Sequence, residues 1–261
     1  MEGKISVVIN TYNSEKHLNR VLSSVKGFDE ILICDMYSTD RTLEIANTYN
    51  CEIVHHEKCE IVEPARNFAI QSASNEWILL IDSDEIVPEA LQEYLYTIIK
   101  EESDLQGLWL ARKNYSLGHF LHGDYPDYIL RFFRRNNVCW LPHIHSQPQI
   151  NGCIKYIPKR RKELALIHLA NNSITGKLQK LNTYTDYEIS KRTKQKFSIL
   201  KMFTATFFRF FKSYIIKGGF RDGKAGVVIA GMDAFYKFVT IAKIWENKLS
   251  NDDIDKDLSG R

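Results

Sequence analysis

The sequence predicts an α/β fold: a mixed, mainly parallel sheet flanked by helices, with a helical appendage at its C-terminal end. Three observations carry that expectation. Short apolar runs alternate with segments of helical period through residues 4–100, polar residues gather immediately after those runs, and the later sequence turns abruptly basic and aromatic.

KISVVI at residues 4–9 reads as a short buried strand. TYNSEKHLNRVLSSV follows with Leu18, Val21, Leu22 and Val25 at helical spacing and Ser14 at the N-cap position. The plan repeats: EILICD at 30–35 is a strand, STDRTLEIANTY a capped helix and CEIVHH at 51–56 a third strand. A helix over about 61–73 leads into WILLIDSDEIV at 77–87, an apolar run that ends in Asp82, Ser83, Asp84 and Glu85. Strands and helices alternating at this spacing form βαβ units, which place parallel strands in one sheet with right-handed crossovers. Beyond residue 105, GLWLARKNY and YILRFFRR read as further strands, joined by SLGHFLHGDYPD, where Gly118 and Gly123 permit a tight loop.

The chain has 261 residues, 44% hydrophobic and 26% charged, enough for one large domain or a domain with an appendage. Five cysteines without CxxC spacing fit reduced thiols better than a disulfide framework, and they imply no zinc ribbon. MEGKISVVIN lacks a signal-peptide pattern, and no unbroken apolar run reaches the roughly 18–20 residues of a membrane span, so the chain is not expected to cross a membrane. The net charge of +3 hides an asymmetry. Residues 1–104 carry 8 Lys and Arg against 20 Asp and Glu, a net of −12, whereas residues 155–224 carry 17 against 4, a net of +13. An acidic half that binds an anion needs a cation between them, while a basic half can rest on an anionic surface directly.

In parallel sheets ligands gather at the carboxyl ends of the strands. Thr11, Tyr12 and Asn13 follow the first strand, Asp35 through Asp40 the second, and Asp82 through Glu85 the fourth, so three strand ends converge on one crevice. Each group alone is also an ordinary set of turn residues; their joint placement is the signal. Three carboxylates at one strand tip repel one another unless a cation or a functional group holds them together.

ISVVINTYNSEKHL, EILICDMYSTDRTLEIA and EPARNFAIQSASNEWILLIDSDE resemble, in order, the successive signatures of family-2 glycosyltransferases, which have a GT-A fold and use nucleotide-diphosphate sugars. The resemblance implies a GT-A domain over residues 1–170, with a nucleotide-binding half over about 1–100 and an acceptor half over about 101–170. A basic, aromatic-rich helical region over 171–250 and a polar tail over 251–261 follow. It implies Asp84 as a ligand of a divalent Mg²⁺ or Mn²⁺ that meets the donor diphosphate, with Asp82 nearer the ribose. Asp35 would accept from a uracil N–H, Thr11, Tyr12 and Asn13 would border the base pocket, and Arg66 with Asn67 would meet the diphosphate or ribose. Arg66 also reads as a helix-surface arginine paired with Glu63. His168, in LALIHLANNS, matches a family histidine that completes the metal's coordination, and it also reads as a core histidine.

An inverting transferase needs a base at the acceptor hydroxyl. Where the lipopolysaccharide-core-type relatives usually hold Val-His-Glu, this chain has Ile144-His145-Ser146, so the expected carboxylate is missing. Either Asp127 or His145 takes the role, or the acceptor differs, or the protein is weakly active. Asp124 and Asp127 both read as sugar-facing or as turn residues.

MFTATFFRFFKSYIIKGGFRDGKAG sets Phe203, Phe207, Phe211 and Tyr214 at helical intervals among Arg209, Lys212 and Lys217, with Lys191, Arg192, Lys194, Lys196 and Lys201 upstream. Such a stripe packs on the rest of the protein or lies in a lipid interface. GGFRDGKAG resembles a stretch of core-oligosaccharide glucosyltransferases, whose acceptors are lipid-linked. The expectation is therefore a metal-dependent, inverting hexosyltransferase. Its donor is a nucleotide-diphosphate sugar, a UDP-sugar by the Asp35 assignment, and its acceptor a lipid-linked, lipopolysaccharide or other envelope oligosaccharide. It is cytoplasmic and peripheral on an anionic membrane surface, and nucleic acid is not a partner. The alternative is a non-catalytic nucleotide-sugar or carbohydrate-binding module. Oligomeric state stays open, with Val227, Val228, Ala234, Phe235, Phe238 and Trp245 able to bury against a second chain.

Overall fold

The chain forms two units, Met1–Tyr115 with Tyr125–Ala170, and Ser116–Asp124 with Asn171–Arg261. The computed structural model describes residues 3–58, 63–140, 147–169, 173–190 and 198–247. In the first unit, β1 (Ile5–Thr11), α1 (Glu15–Val25), β2 (Glu30–Asp35), α2 (Thr42–Thr48), β3 (Glu52–His55), α3 (Glu63–Ser72) and β4 (Trp77–Asp82) follow one another as the alternation predicts. β1, β2 and β4 read as near-continuous apolar runs because they are covered on both faces. In β1 only Asn10 is incompletely buried, and in β4 only Asp82.

β5 (Glu85–Ile86), α4 (Glu89–Glu101), β6 (Leu105–Ser116), β7 (His119–Phe120), β8 (Asp127–Arg134), β9 (Val138–Trp140), β10 (Pro148–Ile150), β11 (Cys153–Tyr156) and β12 (Leu166–Leu169) complete the strands. The sheet runs β3-β2-β1-β4-β8-β6-β12-β5, with β11 beside β6, while β9 and β10 form a separate antiparallel pair. The first four strands are mutually parallel, β8 is antiparallel to both β4 and β6, β12 is parallel to β6, and β5 is antiparallel to β12. This is the mixed, mainly parallel GT-A architecture. Trp77 and Phe132 stack across the β4–β8 junction with ring centroids 4.9 Å apart.

The four residues that predicted α1 are all fully buried. Its cap differs from the expectation. Ser14 stands at the N-cap position, but its hydroxyl caps nothing. Asp40, from the loop after β2, accepts from the Glu15 N–H at 3.0 Å, while Thr42 Oγ1 accepts from the Ser14 N–H at 2.7 Å. The same Asp40 accepts from the Thr42 N–H, so one carboxylate ties the starts of both helices.

In the second unit α5 (Ile174–Ser190) and α6 (Ile199–Phe211) are followed by a π-helical turn, Lys212–Ile216, a 3-10 turn, Gly219–Asp222, and α7 (Gly223–Glu246). The GGFRDGKAG stretch makes its close turn with glycine: a Cβ on Gly226 would overlap the Gly219 carbonyl oxygen. Asp222, buried at the start of α7, accepts from both the backbone N–H of His122 and its Nδ1, the latter at 2.6 Å, and Lys217 pairs with Asp124 at 3.0 Å. α6 buries no residue. Gly219–Glu246 is long and apolar enough by composition to cross a membrane, holding an 18-residue window with a mean hydropathy of 1.5. It is not an unbroken apolar run, because Asp233 and Lys237 interrupt it.

Candidate active site

The sheet register assembles the site from strand ends in the first unit. Thr11 lies beside Asp35, and Asn10 beside Asp82. Asp35 is fully buried and accepts from Thr11 Oγ1 at 2.8 Å, the Ser38 N–H at 2.8 Å and Ser38 Oγ at 2.5 Å. Asn13, in the left-handed region with φ 49°, receives the Thr39 N–H on its side chain and donates its own N–H to Ser38 Oγ. The two strand-end loops are thereby one hydrogen-bonded shelf. Above it Tyr12 and Tyr37 remain exposed, Lys58 lies 4.0 Å from the Tyr12 ring centroid, and Tyr37 stacks on His55. Two exposed rings over a polar floor suit a planar base.

Asp82, at the end of β4, is gripped between two arginines: Arg66 Nη2 donates to Oδ1 at 2.9 Å and Arg131 Nη2 to Oδ2 at 3.0 Å. Burial alone would raise the Asp82 pKa. Arg131, Arg66 and Arg112 outweigh it and bring the group from 3.8 down to about 2. Both guanidiniums also lie over the Trp140 ring, at 5.0 and 5.7 Å. Arg66 is therefore turned inward, with only 11% of its side chain exposed, rather than lying on the helix surface. Asn67 stands apart from this set: its amide donates to the Trp140 carbonyl at 2.7 Å and accepts the Trp140 N–H at 2.9 Å, fixing β9 against α3.

Asp84 meets His168, with Oδ2 and Nε2 3.5 Å apart. β12 makes this possible, because it pairs with β5 on one side, His168 against Glu85, and with β6 on the other, His168 against Asn114. The other ring nitrogen, Nδ1, is 2.7 Å from Asn114 Oδ1, so that Nδ1–H donates there and Nε2 is the ring atom turned toward Asp84. Asn114 Nδ2 donates to Asp127 Oδ2 at 3.0 Å, and Arg112 donates to the same oxygen from Nε at 2.9 Å and Nη2 at 2.6 Å. Arg112 Nη1 then reaches the fully buried Glu85 at 2.8 Å, whose second oxygen accepts the Asp82 N–H at 3.0 Å. Burial opposes the Arg112 charge, but Glu85 and Asp127 more than offset it and raise its pKa above that of an ordinary arginine. Asp84, His168, Asn114, Asp127, Arg112 and Glu85 are thus one continuous polar network.

Among the described residues no three His, Cys, Asp or Glu side chains converge as a complete cage for a metal. The Asp84–His168 pair offers two donors, one from the tight turn between β4 and β5 and one from β12, which fits a divalent ion whose remaining positions are filled by phosphate oxygens and water. His145 and Ser146 lie outside the described residues. Asp124 belongs to the second unit and pairs with Lys217. Sequence reasoning missed Arg112, Asn114, Arg131, Glu85 as a network member, and Tyr37. Alternation in ARKNY puts Arg112 and Asn114 on one face of a strand, a period-2 signal that was present and unread.

Residues 6–151, more than half of the chain, match the model of glycosyl transferase family 2. An uncharacterised glycosyltransferase of Rickettsia typhi is 27% identical over 263 residues, covering 95% of this chain and 89% of the relative. The lipopolysaccharide core biosynthesis glycosyltransferase LpsC of Rhizobium meliloti is 26% identical over 257 residues, covering 93% and 92%. The solved structure of Staphylococcus aureus TarS 1–349 in complex with UDP is 29% identical over 43% of this chain and 36% of that one, with a TM-score of 0.40. The family match and these full-length relatives agree on the class of chemistry: the chain belongs to glycosyl transferase family 2 and is a glycosyltransferase.

Proposed function

We propose that the protein is a metal-dependent, inverting transferase that moves a hexose from a UDP-sugar to a lipid-linked, lipopolysaccharide or other cell-envelope oligosaccharide, working from the cytoplasmic side as a peripheral membrane protein. The observation that carries the reading is the Asp84–His168 pair, wired through Asn114 to Asp127. The similarity to LpsC supports the acceptor class.

Asp84 and His168 would hold a Mg²⁺ or Mn²⁺, whose chemistry is to neutralise charge growing on the departing diphosphate. Tyr12, Tyr37 and Asn13 would border the base, over the floor made by Thr11 and Asp35. Arg66 and Arg131 hold Asp82 ionised and place it toward the ribose, with Asn67 keeping α3 and β9 in register beneath them. Asp127 is the proposed base. Its Oδ2 takes all three bonds from Arg112 and Asn114, which leaves Oδ1 to receive the acceptor's proton as the hydroxyl oxygen attacks the anomeric carbon from the face opposite the leaving group.

Asp84→Ala is expected to abolish both sugar transfer and Mn²⁺-dependent UDP binding measured by calorimetry; retention of both would remove the proposal. The Ile144-His145-Ser146 triplet favours a second reading, a binding module without a base. If wild-type protein binds UDP with Mn²⁺ but turns over no UDP-sugar with any acceptor in an oligosaccharide and lipid-linked panel, that reading wins.

A further inference from the structure

We infer that the outward face of α6 and the π-turn after it is a bilayer-docking surface, resting in the plane of an anionic leaflet. The inference rests on the peripheral placement proposed above and names the surface that makes it. Leu200, Phe203, Phe207 and Phe211 recur at spacings of three and four, one face of a helix. On this helix that face is open: Phe203 is 60% exposed and Phe207 73%. Ile215 and Ile216 continue the exposed apolar surface through the π-turn. A helix with this face normally buries it in the core, so an uncovered one marks an interaction site.

Charge identifies the occupant. Residues 198–224 hold six Lys and Arg against one Asp. Lys201 and Lys212 are exposed along the aromatic stripe, as are Arg209, 3.9 Å from Asp233, and Lys217, 3.0 Å from Asp124, so the strip stays net basic with these two carboxylates included. A second copy of the chain would bring this basic strip against itself, and like charges across an interface are repulsive. Anionic headgroups complement it, while the phenylalanines enter the acyl boundary.

Charge and length together decide the orientation. α6 and the π-turn, Ile199–Ile216, reach about 25 Å, short of the roughly 30 Å hydrocarbon core, and carry Lys201, Arg209 and Lys212, which spanning would place in hydrocarbon, so the helix lies along the surface. α7 is long enough to cross, but it is committed within its own unit. Ala225, Ala230, Ala234, Ile241 and Ile244 are buried, and Lys243 is bound to Asp186 at 2.6 Å and Asn182 at 2.7 Å. Crossing would carry those polar partners from α5 into hydrocarbon.

The test is flotation of the full chain with phosphatidylcholine vesicles, with and without phosphatidylglycerol, alongside sedimentation and UDP-sugar hydrolysis. Wild-type protein is expected to float with the anionic vesicles only, less so at high salt. The F203S/F207S/F211S variant should lose binding to background while keeping hydrolysis. Phe207→Ser alone, at the most exposed of the three phenylalanines, should weaken binding about ten-fold, and it reads the surface should the triple variant misfold. Flotation of these variants equal to wild type would overturn the surface while leaving membrane placement standing. Wild-type protein that binds neither vesicle would remove both, independently of the sugar chemistry. A dimer converted to a monomer by the triple variant would assign the face to a second copy instead.

Discussion

The two units use the same residue types in opposite ways. In the first, Phe132 and Phe133 are fully buried, and the Arg66, Arg131 and Arg112 side chains, 11%, 8% and 19% exposed, are turned inward onto carboxylates. In the second, Phe207 is 73% exposed and the Arg209 side chain 44%. A buried phenylalanine stabilises the fold, and an exposed one serves binding. An arginine on a buried carboxylate sets the shape of a site, and an arginine beside an open apolar stripe gives the surface its charge.

The sharpest break of this contrast is in stability. Phe132→Ala is expected to cost about 3–5 kcal/mol, because it opens a cavity beneath Trp77. Phe207→Ala should stay within about 0.5 kcal/mol, as an exposed substitution that leaves no void. Equal shifts in urea unfolding midpoints would mean that the α6 stripe is packed after all. Glu85→Ala belongs with the first class. It removes a fully buried carboxylate and leaves Arg112 Nη1 and the Asp82 N–H without their acceptor while Arg112 keeps Asp127, a loss of about 1–3 kcal/mol. Glu85→Gln, which keeps the shape and a hydrogen-bond acceptor, should recover part of it.

Next in size is an effect on the metal alone. Asn114 touches no proposed ligand atom, yet it sets which nitrogen of His168 carries the proton. Asn114→Ala should weaken Mn²⁺ affinity by about 10–100-fold, with the fold intact, whereas substitution of the exposed Lys212 should leave it unchanged. Calorimetric titration with Mn²⁺ and UDP reads both. An unchanged Mn²⁺ affinity in Asn114→Ala would separate His168 from the metal.

Much of this arrangement was legible from residues in order. The alternation that predicted β1, α1, β2 and β4 is a local pattern, and Leu18, Val21, Leu22 and Val25 declared their buried face by spacing alone. Asp82 and Asp84 stood out because carboxylates ending an apolar run are electrostatically costly. What could not be read was pairing across the sheet. Asp40 caps α1 from 25 residues away, and Asn114 meets His168 across 54 residues, contacts fixed by register rather than by local sequence. The α6 stripe shows the same boundary: period reveals that a face exists, and only the fold reveals that nothing in the described chain covers it.

The smallest effect is a pH dependence confined to the first unit. Asp82 titrates near 2 in the folded chain against an ordinary 3.8, so its ionised form is favoured by folding. A depressed carboxylate contributes stability that is fully present above its unfolded pKa and disappears as pH falls through the folded one, here between about 3.8 and about 2. Because a third of the side chain is open to solvent, the magnitude is modest, and direction and window are the test. Asp82→Asn should be less stable than wild type at neutral pH, with the gap closing as pH is lowered through that window. The Lys217–Asp124 pair of the second unit, with side chains 37% and 42% exposed, offers the control. Its removal should cost under about 1 kcal/mol and should matter less as salt is added, while the Asp82 pairs, whose Arg66 and Arg131 side chains are only 11% and 8% exposed, respond less to salt. A salt response as large at Asp82 as at Asp124 would mean that the arginine grip is open to water, and the contrast between the units would lose its electrostatic half.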